Sequence, residues 1–407
     1  MHRSVSIWTP KEVKRPVRAD KRCDMRAICA DKLSKIIGER TNGLINEGKL
    51  GCAEIIVEQD GRRVFHECFG ADPVTKCELK PGALFRAASM TKPVTTAAFL
   101  KAVYEGKVDL NAPVSEYLPE YSCMNIGHVN EKREIVIGGK AKRPLLVYQL
   151  FCHVNGIGVS PMCEITAPDW KSTADTCAFY AKQPLAFEPG SATAYSPTAA
   201  FDVAARILEL VTGMPFAEYV KKNITAPLGM ADTVYEPSPA QWQRLIGMHA
   251  RHGEGLSVPG KTYSGCVFSN ITPAACAAGA GMTTTAEDYS RFARMLLNLG
   301  MGDNGVRILP EDAVRRMSTP QVSEEVMPAD ERWGLGVRVI TRKTYAHRLP
   351  VGSFGWSGAY GTHFWVDPVN RITAVYMKNS LFDGGAGCHT ANCFEEDVMA
   401  SLEEAAD

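Results

Sequence analysis

The sequence predicts an α+β fold, in which helices from the two ends of the chain cover one antiparallel sheet and a mainly helical domain is inserted between the sheet's two halves. Three observations carry this reading. A helix-then-hairpin pattern stands near the start, strand-like runs closed by a helix stand at the end, and a long helical stretch broken by Pro-Gly punctuation lies between them. At 407 residues the chain suits such a two-part body and exceeds one minimal core.

Leu33, Ile36, Ile37, Leu44 and Ile45 recur at helical spacing, with Asp31 before them as the expected cap. Residues 53–58 and 63–69 read as strands joined at Asp60-Gly61, a dipeptide suited to a tight hairpin. Near the far end, residues 334–341, 361–366 and 371–377 read as strands, and Phe394, Val398, Met399 and Leu402 form the apolar stripe of a closing helix. Between these ends lie Pro189-Gly190, Pro227-Leu228-Gly229 and a low-periodicity loop over about 237–278. Thr285 and Asp288 have the spacing of a capping box for a helix through Arg291, Met295 and Leu296. The expected division is an N-terminal extension over 1–30, a sheet domain from 31–104 and 285–407, and a mainly helical domain over 105–284.

Lysine plus arginine and aspartate plus glutamate number 45 each, which removes the electrostatic footprint of a nucleic-acid or anionic-membrane protein. A small-molecule partner is expected. No window approaches the roughly 20 apolar residues of a membrane span, and the first residues are basic without an apolar core, so a cytoplasmic location is expected. The 13 cysteines are odd in number and scattered, as free thiols in a reducing compartment would be. Cys388, His389 and Cys393 cluster, yet no second ligand pair stands at zinc spacing; ordinary packing is expected there, with no metal and no cofactor.

The chemistry concentrates in three places. Ser89-Met90-Thr91-Lys92 is the one Ser-x-x-Lys in the chain, and spacing of three puts hydroxyl and ammonium on one helical face. A serine hydroxyl is a weak nucleophile at neutral pH, and a neighbouring lysine can take its proton or steady the alkoxide. About one such tetrad is expected by chance in a chain of this size, so the motif means little alone. Tyr195-Ser196-Pro197 follows Glu188-Pro189-Gly190 and precedes a helical run over 199–211, which sets a phenol on a loop held between a turn and a helix. Third, Gly355-Trp356-Ser357-Gly358-Ala359-Tyr360-Gly361 precedes an apolar strand, and its small residues allow close backbone approach to a substrate.

In this order and spacing, the three segments resemble the motifs of class C β-lactamases and related carboxylesterases, within the serine β-lactamase and penicillin-binding superfamily. Leu150-Phe151-Cys152-His153-Val154-Asn155-Gly156 and Gly279-Ala280-Gly281-Met282 resemble two further family segments, incompletely. The resemblance covers residue 31 to the C-terminus. It implies a serine β-lactamase-like fold with the site in the cleft between sheet and helical domain. It implies Ser89 as nucleophile, Lys92 as its close partner and Tyr195 as proton shuttle. It also implies the backbone N–H groups of Ser89 and Ala359 as oxyanion hole, and Trp356, Ser357 and Gly358 as the substrate-binding edge.

Two departures bear on the substrate. Pro197 stands where the β-lactamase pattern has asparagine, removing an amide that would contact the lysine, and Trp356 stands where that pattern has lysine or histidine. The tryptophan resembles that of the family's esterases and acyltransferases. The expected activity is therefore hydrolysis of small carboxylic esters. The alternatives are a β-lactamase or D-amino-acid peptidase/acyltransferase, and a catalytically inactive relative acting as a binding protein. The bland readings are that Trp356 packs with Tyr360 and Trp365 as a core aromatic, that Tyr195 is a packed phenol and that His153 is structural. Arg62-Arg63 and the 140–143 basic cluster read as solvated turns.

Overall fold

In the computed structural model the described residues are 26–160, 162–163, 170–250, 255–256, 277–343 and 349–403. Most of the expected N-terminal extension and residues 251–254 and 257–276 of the expected long loop lie outside them.

Helix α1 (Ala30–Asn46) buries Leu33, Ile37 and Thr41. Its cap position is Cys29, which makes no side-chain capping bond. Asp31, the expected cap, instead sits inside the first turn, where its charge faces the positive end of the helix dipole. Strands β1 (Cys52–Gln59) and β2 (Arg62–Gly70) follow as the expected hairpin. Asp60 and Gly61 both have positive φ, 51° and 73°, as a two-residue turn matching the strand twist requires.

The chain then leaves the sheet through α2 (Thr91–Tyr104), α3 (Thr173–Ala181), α4 (Ala199–Thr212) and α5 (Ala286–Leu297). It returns through β3 (Glu331–Trp333), β4 (Arg338–Ile340), β5 (Phe354–Ser357), β6 (His363–Asp367) and β7 (Ile372–Met377), and closes with α6 (His389–Ala400). The sheet order is β3-β4-β5-β6-β7-β1-β2, antiparallel throughout. The first hairpin is thus welded to the last strand.

Alternation along the strands divides the interior into two cores. Ala53, Ile55, Val57, Trp365, Ala374 and Tyr376 pack with Leu33 and Ile37 of α1 and Phe394 and Val398 of α6. On the other face Ile56, Phe364, Val375 and Met377 join the larger core, with Tyr289 and Phe292 of α5 and Val94, Phe99 and Leu100 of α2.

Several expectations are corrected. Of the strand expected over 334–341, only Arg338–Ile340 is strand, and residues 334–337 before it are a bend: Cβ atoms at Gly334 and Gly336 would meet Met317 O at 1.9 Å and Thr96 Oγ1 at 2.1 Å, so only glycine lets the chain bend there. Ser357 of the third motif lies within strand β5. Leu402 lies beyond α6, paired with Ile28 in a two-stranded bridge between the chain's ends. The expected helical stretch also contains a hairpin, Asn125–Val129 with Ile135–Lys140. Thr285 accepts the Asp288 N–H at 3.1 Å, but the Asp288 carboxylate turns to Asp232 N–H and Thr233 Oγ1, so half the capping box forms. Arg63 is no free turn residue; it pairs with Glu58 and Glu287. The ten described cysteines are free, and no described helix is long and apolar enough to cross a membrane.

Candidate active site

Ser89 sits in a single 3₁₀ turn, Ala88–Met90, that runs directly into α2. Ala88 holds φ at 45°, a left-handed conformation that a non-glycine residue keeps only under constraint. The constraint is visible: Ala87 N–H donates to Met282 O at 2.9 Å, and Ala87 O accepts from Thr362 Oγ1 at 3.0 Å. Tight packing on both sides fixes the turn that presents the serine.

Lys92, one turn along, is fully buried, and its Nζ lies 3.1 Å from Ser89 Oγ. Two carbonyls complete its surroundings, Pro197 O at 2.6 Å and Gly279 O at 2.9 Å. Gly279 lets the chain come close here, because a Cβ there would stand a tight 3.1 Å from Pro197 O and 3.2 Å from Lys92 Nζ. The centroids of the Tyr195 and Phe201 rings lie 4.9 and 5.2 Å from the nitrogen. An ammonium here donates all three protons. A neutral amine donating to the two carbonyls turns its lone pair toward Ser89 Oγ, so one arrangement serves both protonation states.

Tyr195 Oη lies 2.7 Å from Ser89 Oγ, and Trp356 Nε1–H donates to Tyr195 Oη at 3.3 Å. The phenol's loop is anchored by His153, whose Nδ1 accepts the Ser196 N–H at 3.1 Å and whose ring packs 4.5 Å from that of Tyr195. Burial, and secondarily the charge of Lys92, holds the His153 imidazole well below its ordinary basicity. A neutral acceptor at Nδ1 follows. This is the geometry of a positioning histidine, with no contact to Ser89.

Trp356 meets Trp333 at 4.6 Å between ring centroids, and Trp333 stacks on Tyr195 at 6.1 Å. The serine is thereby flanked by an aromatic wall. Gly358 packs on the turn before the serine, since a Cβ there would meet Ala87 O at 2.4 Å. The next residue, Ala359, is exposed, and its N–H takes no hydrogen-bond partner among the described residues. Ser357 departs from the expectation: its Oγ lies 2.8 Å from His363 Nδ1, on the far face of the sheet. What it can offer a substrate is backbone.

The structure thus brings Ser89, Lys92, Tyr195 and Trp356 together and turns the Ser357 side chain away. Sequence reasoning missed Trp333, whose Trp-Gly-Leu-Gly context was its one signal, and the two carbonyls on Lys92, which no side-chain pattern reveals. The lysine contact that Pro197 was expected to remove is made by that residue's own carbonyl. Asp202 was also unforeseen: it is buried on α4, accepts the Ala278 N–H at 2.8 Å beside Gly279, and burial pushes its carboxyl well above the usual range. A cavity of about 680 Å³ lies elsewhere, lined by Glu58, Arg63, Arg294 and Asp303, and contains no nucleophile. The Cys388, His389 and Cys393 donor atoms do not converge as a metal site.

Comparison with known proteins agrees with this architecture. Residues 34–391 match the family model described as Beta-lactamase. Esterase EstB of Burkholderia gladioli is 26% identical over 382 residues, covering 84% of this chain and 89% of that protein. A putative D-alanyl-D-alanine carboxypeptidase of Salmonella agona is 27% identical over 317 residues, covering 73% and 69%. Among solved structures, EstCE1, described as a hydrolase with promiscuous acyltransferase activity, superposes with a TM-score of 0.75 at 21% identity, covering 91% of this chain and 99% of that one. A match over most of the chain, on a fold that carries the serine turn, the phenol loop and the tryptophan strand to one point, makes the protein a member of the beta-lactamase family.

Proposed function

We propose that the protein is a serine hydrolase that cleaves small carboxylic esters through an acyl-enzyme on Ser89. The carrying observation is that Ser89 Oγ stands within hydrogen-bond reach of both Lys92 Nζ, at 3.1 Å, and Tyr195 Oη, at 2.7 Å. The Lys92/Tyr195 unit takes the hydroxyl proton as Ser89 Oγ bonds to the ester carbonyl carbon. The N–H groups of Ser89 and Ala359 receive the oxyanion. As the C–O bond to the alcohol breaks, the stored proton passes to the leaving oxygen. Water repeats the sequence on the acyl-enzyme and frees the acid.

The ester preference is supported by the wall of Trp356, Trp333 and Tyr195. A penicillin or a D-Ala-D-Ala peptide carries a carboxylate that needs a compensating cation, whereas an indole offers one N–H, here spent on Tyr195. The likeness to EstB points the same way. A small neutral ester is the proposed partner, with no nucleic acid or membrane, and the free cysteines support placement in the reducing cytoplasm. The test compares kcat/KM for p-nitrophenyl butyrate and nitrocefin on one preparation. The ester should be turned over far faster, and Ser89→Ala should abolish its hydrolysis. A clear preference for nitrocefin would move the protein to the lactamase reading, and unchanged ester turnover in folded Ser89→Ala would remove Ser89 as nucleophile.

A further inference from the structure

On the opposite end of the sheet from the tryptophan wall, the pairing of β1 with edge strand β2 sets Glu54 directly across from Cys68. His66, two residues along β2, shares their face because side chains alternate along a strand. Glu54 is fully buried. Its Oε1 lies 2.9 Å from His66 Nε2, and its Oε2 has no hydrogen-bond partner among the described residues. A buried carboxylate with one oxygen orphaned is costly, and such an atom asks what satisfies it. One ligand atom from each of Glu54, His66 and Cys68 lies within 4.8 Å of the other two.

We propose that Glu54, His66 and Cys68 form a zinc site, with water in the fourth position. Carboxylate, imidazole and thiolate are the donors that tetrahedral zinc takes, at bond lengths of about 2.0–2.3 Å. Those lengths place ligand atoms about 3.3–3.8 Å apart, so the three groups reach a common ion by side-chain adjustments of an ångström or less. The His66 side chain is 21% exposed, which gives the ion an entrance and the water its place. On binding, the Cys68 S–H bond breaks, its proton passes to solvent and an S–Zn bond forms; no oxidation is involved. The ion cross-links the sheet's free edge to β1 and stabilises the native state by mass action. None of the three residues takes part in the chemistry at Ser89.

The test uses the full chain stripped of metal by a chelator. Cobalt(II) is added as the spectroscopic probe and zinc(II) is measured by competition with a chromophoric chelator. One cobalt per chain should bind, with a thiolate-to-cobalt charge-transfer band and tetrahedral d–d absorption, and zinc should displace it and raise the thermal midpoint. Cys68→Ser should lose the charge-transfer band, and His66→Asn should weaken zinc binding at least tenfold. Cys393→Ser, at the other cysteine–histidine cluster, should change neither. Absence of a band in the wild-type chain, a band that survives Cys68→Ser, or unchanged affinity in His66→Asn would overturn the site. If Cys68→Ser fails to fold, the His66→Asn affinity decides alone, because that partly exposed ring can be replaced without opening the core.

Discussion

Lys92 shows how much of a site can rest on backbone. Its nitrogen is fixed by Ser89 Oγ and by the carbonyls of Pro197 and Gly279, so a position that reads in sequence as a lost asparagine still serves the lysine. Side-chain motifs made Ser89, Lys92 and Tyr195 legible, because their chemistry depends on residue type. The carbonyls were invisible, because any residue supplies one, and only Gly279 left a trace. Lys92→Met and Tyr195→Phe should each lower kcat by about 10²–10⁴, as loss of a positioned proton-transfer group does. Their free-energy losses should not add, since both act on the one Ser89 oxygen. Steady-state kinetics of the two single variants and the double variant measure this, and a double loss equal to the sum would separate the two groups.

At the scale of elements, strand β5 has a different partner on each face. Trp356 faces the serine, while Ser357 meets His363, which reaches Glu395 of α6 at 3.1 Å; Arg338 of β4 joins that carboxylate at 2.8 Å. Burial pushes the Glu395 carboxyl up, but His363 and Arg338 outweigh it and hold it down at about 2. An unfolded glutamate titrates near 4.3, so the pair contributes on the order of 3 kcal/mol above that pH. The contribution is lost as pH falls from about 4.3 toward 2. Urea midpoints of the wild type should therefore drop steeply across that window, and Glu395→Gln should lower the midpoint at pH 7 and flatten the acid limb. An unchanged acid limb would deny the coupling. Gly336 makes a second case: its φ of 71° and the 2.1 Å approach of a Cβ to Thr96 Oγ1 should make Gly336→Ala destabilising by about 1–3 kcal/mol in chemical denaturation. The same glycine explains why the strand expected over 334–341 begins only at Arg338. Apolar alternation was present, but contact with α2, remote in sequence, imposed the bend.

For the molecule as a whole, the chain visits the sheet twice and collects one functional group on each leg. Ser89 follows the first hairpin, Tyr195 stands 106 residues away on the excursion, and Trp356 lies a further 161 residues on, in the returning sheet. The helix-and-hairpin opening and the strand-and-helix close were readable from periodicity, and the three motifs named side chains that the fold brings into contact, Ser89, Lys92, Tyr195 and Trp356. The seven-stranded register was not readable, because the pairing of β7 with β1 joins residues that no local pattern links. The central claim is that this convergence makes Ser89 the residue that is acylated. Intact-mass measurement after exposure to a fluorophosphonate, followed by peptide mapping, tests it most directly: one adduct per chain on Ser89 is predicted, absent in Ser89→Ala, and an adduct mapped to another serine, or none on the folded protein, would contradict the account.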